Sequence, residues 1–189
     1  MTYNLFFMKR VNENPPARFP QRPIDQAEAP WWVAKIKPRQ EKAVAADFIN
    51  KNIEYYLPLV TKITRRKDNN KPRKSILPLF AGYISLTTKK ETLRDVWATG
   101  RIVSVIEIKH QKHFMEELTQ IYNILEKGIV LEPCLESFPE GTPVSVQSGP
   151  LRGIRGIVSK VYNQSKLILS VEGLGQAVVT VDAALVKPL

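Results

Sequence analysis

Two neighbouring stretches hold the side chains best suited to binding chemistry. Residues 65–74 read Arg-Arg-Lys-Asp-Asn-Asn-Lys-Pro-Arg-Lys, six cations and one acid around an Asn-Asn turn pair. Like charges crowded at a turn repel unless they meet an anion, so this composition points to phosphate or carboxylate recognition. Directly after it, residues 77–86 form the most apolar segment, with Phe80 and Tyr83 on either side of Ala81 and Gly82. Rings in a strand ordinarily fill a core, and rings left at a surface anchor partners. Phe80 and Tyr83 lie three apart and cannot share one face of a regular strand, so a common role requires an irregularity at Gly82.

Nothing in the chain points with comparable clarity to bond chemistry. Glu91, Asp95 and Glu107 are scattered over helix and strand positions and form no pair for metal binding or acid–base work. His110 and His113 fall at the start of a helix with no cysteine at ligand spacing. Cys134 is the only cysteine, which excludes an intramolecular disulfide and suits a reducing compartment. Gly149, Gly153 and Gly156 punctuate one connection, yet no Lys-Ser or Lys-Thr follows as a phosphate loop requires. The sequence therefore predicts no enzyme, no cofactor and no metal.

The chain of 189 residues carries a formal charge of +10. Residues 31–130 hold 19 Lys and Arg against 10 Asp and Glu, whereas residues 141–189 hold 5 against 2. The charge thus belongs to the first part, and its partner there should be acidic. Between the two parts, residues 131–140 contain Glu132, Glu136 and Glu140 and no basic residue, as in an acidic linker. No segment has the roughly 20 apolar residues of a membrane helix and no signal-length apolar region opens the chain, so a cytoplasmic protein is expected.

The elements that must position these residues follow from periodicity. Residues 1–30 carry five prolines from Pro15 to Pro30 and should be extended, poorly ordered or draped on a neighbour. Residues 31–36 read as a strand. Pro38 then precedes a helix with Glu41, Val44, Ala45, Phe48 and Ile49 on one face and Asn52 at its end. Residues 53–57 and 60–64 are strands, the basic tip is a hairpin turn, and residues 77–86 read as one core strand with a bulge. A short helix near residues 91–97, a β-branched strand at 102–108 and an amphipathic helix from Phe114 to Leu125 complete a mixed sheet with helices on one face. Five short strands in residues 141–189, separated by turn residues, suit a small barrel.

Trp31-Trp32-Val33, residues 37–41 (Lys-Pro-Arg-Gln-Glu), Tyr56-Leu57-Pro58-Leu59 and residues 78–84 (Pro-Leu-Phe-Ala-Gly-Tyr-Ile) resemble the N-terminal domain of NusG-type transcription elongation factors. Residues 141–144 and 149–158 are similar to the KOW motif that follows in that family. The resemblance covers residues 31–189. It implies an α+β fold: a mixed or antiparallel ferredoxin-like NGN sheet with helices over 31–130, then an SH3-like KOW β-barrel over 141–189. The Pro-rich extension and basic tip look more like specialised antiterminators of the RfaH and UpxY type, the latter serving polysaccharide operons.

By the same resemblance, Phe80 and Tyr83, with Ile84, Tyr55 and Tyr56, would face the clamp helices of the RNA polymerase β′ subunit. Lys37, Arg39, Arg65, Arg66, Lys67, Arg73, Lys74 and Arg101 would face non-template DNA or nascent RNA. Pro150, Leu151, Arg152, Ile154 and Arg155 would meet ribosomal protein S10 or the termination factor Rho. The alternative is a general RNA- or ribosome-binding KOW protein, and neither reading involves a membrane.

Overall fold

The computed structural model describes residues 14–133, 141–161, 164–181 and 185–189. The prolines before Trp31 leave a segment with little choice but to lie extended against something that supplies its hydrogen bonds. Strand β1 (Arg18–Phe19) accordingly pairs antiparallel with β3 (Glu54–Tyr56). Leu57 donates its N–H to the Ala17 carbonyl, and the Tyr55 hydroxyl donates to the Pro16 carbonyl at 2.8 Å. Phe19 stacks on the Tyr55 ring. From residue 14 onward the extension is thus draped on its own domain, with β1 as the edge strand.

Strand β2 (Trp31–Ile36) runs through the sheet between β6 (Tyr83–Thr87) and β7 (Ile102–Glu107). Its composition suits a strand buried on both faces, and its side chains alternate between two cores. Trp32, Ala34 and Ile36 meet Val44, Ala45 and Phe48 of helix α1 (Glu41–Asn50) and Val96 of helix α2 (Leu93–Trp97). Trp31 and Val33 face the other way, toward Phe114, Leu118, Ile121 and Ile124 of helix α3 (Gln111–Glu126). All pairings in the sheet, ordered β1-β3-β6-β2-β7, are antiparallel. This corrects the expectation of helices on one face: α1 and α2 cover one side and α3 the other. The cause is the strands themselves, which carry apolar residues at both parities.

Residues 77–86 are not one bulged strand. Strands β4 (Leu59–Arg65) and β5 (Pro72–Pro78) form a separate two-stranded ribbon, and the chain turns at residues 79–82 before entering β6. Pro78 has no N–H to continue a ladder. Gly82 adopts φ +83°, a conformation side chains resist. The Gly82 N–H donates to the buried Glu41 carboxylate at 2.7 Å, tying the turn to α1.

The C-terminal part contains β9 (Thr142–Val146), β10 (Arg155–Val161), β11 (Gln164–Val171), β12 (Gly175–Val181) and β13 (Val186–Pro188). The five expected strands are present. Strand β8 (Glu132–Pro133), drawn from the expected linker, joins them by pairing with Val178 and Ala177; Cys134, Glu136 and Glu140 lie outside the described residues. The sheet order β13-β9-β10-β11-β12-β8 leaves β13 and β8 as its ends, so the described pairings form an open antiparallel sheet and do not close the expected barrel. The end strands contain Pro133 and Pro188, which have no N–H to donate to a further strand.

Arg22 fixes the extension. Its guanidinium donates to both oxygens of the largely buried Glu54 and to the exposed Glu28, and Glu54 also accepts from the Thr87 hydroxyl at 2.8 Å. Removing one partner of a buried pair strands the other. Glu54→Ala should therefore lower unfolding stability by about 3 kcal/mol in a urea titration. Glu28→Ala should cost less than about 0.5 kcal/mol.

Candidate functional site

The turn at residues 79–82 solves the geometric problem posed by Phe80 and Tyr83. Tyr83 opens β6, Phe80 sits in the turn, and the Tyr83 N–H reaches back to the Phe80 carbonyl. Both rings therefore join the α3-side core together with Tyr56. Tyr55 and Ile84 belong to the opposite core beneath α1, at 0% and 1% exposure. The five aromatic and aliphatic residues expected on one surface are thus divided by the sheet, because adjacent strand residues point to opposite faces. Burial pushes the Tyr55 and Tyr56 hydroxyls above the ordinary phenol range, so both stay neutral.

Phe80 is only 6% exposed, and the C-terminal sheet reaches it through one turn. The β11–β12 turn contains Gly173, Leu174 and Gly175. A Cβ built on Gly173 would stand 3.4 Å from both Ile108 and Val33, and one on Gly175 would stand 4.0 Å from the Phe80 ring. Leu174 between them is buried in the same core. Gly173 has φ +73° and Gly175 φ +123°, so the turn needs glycine for its conformation, while its packing on the N-terminal core is ordinary van der Waals contact.

Helix α3 supplies the polar contacts of this interface. Glu117 accepts the Glu172 N–H at 2.9 Å, Gln120 accepts the Arg155 N–H at 2.9 Å, and Lys127 donates to the Pro150 carbonyl at 2.8 Å. The expected KOW-loop contacts are therefore engaged within the chain. Pro150 and Arg155 are bonded through their backbones to α3, and Leu151 and Ile154 are buried in the shared core. The Arg152 side chain is exposed.

The basic residues separate into two groups. Arg65, Arg66, Lys67, Arg73 and Lys74 are all exposed at the end of the β4–β5 ribbon, where none meets a carboxylate among the described residues. The ribbon is held at its root by Lys42, which donates to the Ile76 carbonyl at 2.5 Å. Lys37, Arg39 and Arg101 lie together at the far end of β2, where the Lys37 N–H donates to the Arg101 carbonyl. Arg101 is already engaged, by Gln40 at 3.1 Å and Asp47 at 3.4 Å, and Lys37 donates to the Gly100 carbonyl. Among the described residues, the ribbon end gathers five exposed cations that no carboxylate meets.

His113 pairs with Glu117 at 3.1 Å, and no cluster of three metal-ligating side chains occurs among the described residues. Sequence reasoning missed the turn at residues 173–175, Glu117 and Gln120 as the groups that seat the C-terminal sheet, and Glu41 as the group that holds Gly82. The usable signal was Leu174 itself, a large apolar residue between two glycines in a turn.

Glu117 carries the pH dependence of the interface. Desolvation raises its carboxyl above the ordinary carboxylate range, against the lowering effect of the Glu172 N–H and His113. A carboxyl raised in the folded state contributes stability that is full below its unfolded value and is lost as pH rises through the folded one. Glu117→Gln keeps an acceptor without the charge. It should melt higher than wild type near about pH 7 and converge with it near about pH 4, as followed by calorimetry.

Comparison with curated proteins gives no match. Among solved structures, one described as "Domain interaction in Thermotoga maritima NusG" is 16% identical, covers 85% of this chain and 97% of its own, and superposes with a TM-score of 0.46. Another, "Crystal Structure of MjSpt4:Spt5 complex conformation B", is 16% identical over 84% of this chain and 96% of its own, with a TM-score of 0.28. Superpositions this loose fix no detail of the site. The decisive match is a family model described as "Transcription termination factor nusG", which spans residues 29–125, from the end of the extension through almost all of α3, and this chain belongs to the NusG family.

Proposed function

We propose that this chain is a transcription elongation factor that binds RNA polymerase through the α3-side face of its N-terminal sheet, with Phe80, Tyr83 and Tyr56 as the apolar anchors. Membership of the NusG family supplies the transcription role. One observation carries the assignment of the face: a single leucine-bearing turn of the C-terminal sheet covers Phe80, Val33 and Ile108. A face that can be covered by one turn, and that joins apolar rings in a small area, suits a hydrophobic ridge such as the polymerase clamp helices. Tyr55 and Ile84, under α1, support the sheet and make no contact.

In this reading the closed arrangement competes with polymerase, and binding draws on the open population. The ribbon cations then meet non-template DNA or nascent RNA, making binding salt-dependent without conferring sequence preference. Lys37 and Arg39 extend this positive edge, with Arg101 serving mainly to hold them. Once released, the loop at Pro150, Leu151, Arg152, Ile154 and Arg155 is free for ribosomal protein S10 or Rho. The Pro-rich extension and the unpaired ribbon favour a specialised antiterminator, such as one serving a polysaccharide operon, over a housekeeping factor.

A pull-down on purified polymerase tests this reading. Leu174→Asp places a charge in the apolar contact and should raise retention about fivefold or more, whereas Phe80→Ala with Tyr83→Ala should remove it. Equal retention of wild type and both variants would sink the assignment.

A further inference from the structure

The shape of the β4–β5 ribbon is not explained by folding. Among the described residues no third strand joins it, and residues 61–74 are all exposed, so it stands out from its root with no layer on either face. Both of its ends are ordered. At the root the Leu79 N–H donates to the Pro58 carbonyl at 2.8 Å. At the tip the Arg66 N–H donates to the Lys71 carbonyl, the Asn69 side chain accepts the Lys71 N–H at 3.1 Å, and Asn70 takes φ +54°. A two-stranded ribbon is marginal in water by itself, so one held uncovered is suited to a partner that receives it.

The placement of charge describes that partner. Residues directly opposite in an antiparallel pair share a face, and neighbours along a strand alternate. The register sets Lys62 opposite Ser75 and Thr64 opposite Arg73 on one face, with Ile63 opposite Lys74 and Arg65 opposite Pro72 on the other. Each face therefore carries two cations, and Arg66, Lys67 and Lys71 add three at the tip. Across residues 59–78 the only acid is Asp68. A ribbon laid on a flat anionic surface would use one face alone. Cations on both faces and at the tip complement a cleft with an anionic wall on each side.

The dimensions and composition select among nucleic acids. Residues 59–78 contain no Phe, Trp or Tyr, so the ribbon lacks the rings on which unpaired bases stack. With side chains on both faces a ribbon is about 10 Å thick, close to the roughly 12 Å width of the B-form major groove. It exceeds the roughly 6 Å minor groove, and the major groove of duplex RNA is too narrow for side chains to read. From Thr61 to Arg65 a strand spans about 14 Å, more than the roughly 8.5 Å depth of the major groove, so the tip reaches the floor while the root stays outside. Ile63, 63% exposed, is then placed to meet thymine methyl groups. We propose that the ribbon enters the major groove of duplex DNA tip first, with Lys62 and Arg73 toward one phosphate wall and Arg65 and Lys74 toward the other. This rests on the reading above in which the ribbon cations meet nucleic acid, and narrows it to paired DNA.

An anisotropy titration of the full chain onto a labelled DNA duplex of about 20 base pairs, repeated over a range of salt, tests this. The duplex should bind at least about tenfold tighter than duplex RNA of the same sequence, and tighter than either DNA strand alone. Lys62→Gln with Arg73→Gln should reduce the slope of log affinity against log salt by about two, and Arg65→Gln with Lys74→Gln should reduce it equally. All four positions are exposed and meet no carboxylate among the described residues, so both double variants should melt with wild type. Netropsin, which fills the minor groove, should leave binding unchanged. A slope reduced by one pair and not the other means a ribbon lying flat and overturns the insertion, as does displacement by netropsin or equal affinity for duplex RNA. Tighter binding of a single strand also overturns it, while leaving the nucleic-acid reading in place. No binding to any probe, or a slope unchanged in both double variants, overturns the two together. None of these outcomes depends on whether Leu174→Asp changes polymerase retention.

Discussion

Helix α3 is buried from two directions, and the rest of the molecule is arranged around that burial. Phe114, Leu118, Ile121 and Ile124 press into the N-terminal sheet, where Trp31 and Val33 receive them. The flank bearing Glu117, Gln120 and Lys127 accepts and donates hydrogen bonds to the backbone of the C-terminal sheet. Gln111 fixes the start of the helix by bonding both the N–H and the carbonyl of Trp31, so α3 cannot rotate relative to β2 without losing both. A helix held this firmly on one side offers a stable rail on the other, against which the C-terminal sheet is seated.

The elements of this arrangement were legible in the sequence because each rests on local rules. The helical spacing of α1 and α3, the Asn52 stop at φ +54° and the five C-terminal strands all follow from periodicity and turn chemistry. The failures share a different cause. Whether residues 77–86 make one strand or a ribbon end, a turn and a new strand depends on which neighbour satisfies the Gly82 N–H. That neighbour, Glu41, is 41 positions away. The division of Tyr55 from Tyr56 could have been read from strand alternation alone.

The candidate site was half legible for the same reason. Composition marked the ribbon cations and the two rings, and strand parity required a break between Phe80 and Tyr83. The covering turn was not legible, since a leucine between glycines says that something is apolar at a tip but not what it meets. Arg18 was hidden more deeply, in an extension whose composition suggested only an extended segment. Its setting contrasts with that of Arg22: two arginines four residues apart, one bonded to carboxylates and the other set over the Tyr122 ring and bonded to its hydroxyl.

The covered face sets a limit on how such a factor can be controlled. Under the proposed function, the β11–β12 turn and a partner ridge cannot both cover Phe80, so any affinity for the covered arrangement is subtracted from the apparent affinity for that partner. Shifting such an equilibrium from 1:99 to 99:1 requires about 10⁴-fold preference, or about 5.5 kcal/mol. The described interface rests on one apolar turn, a shared core and three backbone-directed hydrogen bonds from α3. An apolar patch filled by aromatic anchors can supply the opposing energy, because a few buried rings dominate most interfaces.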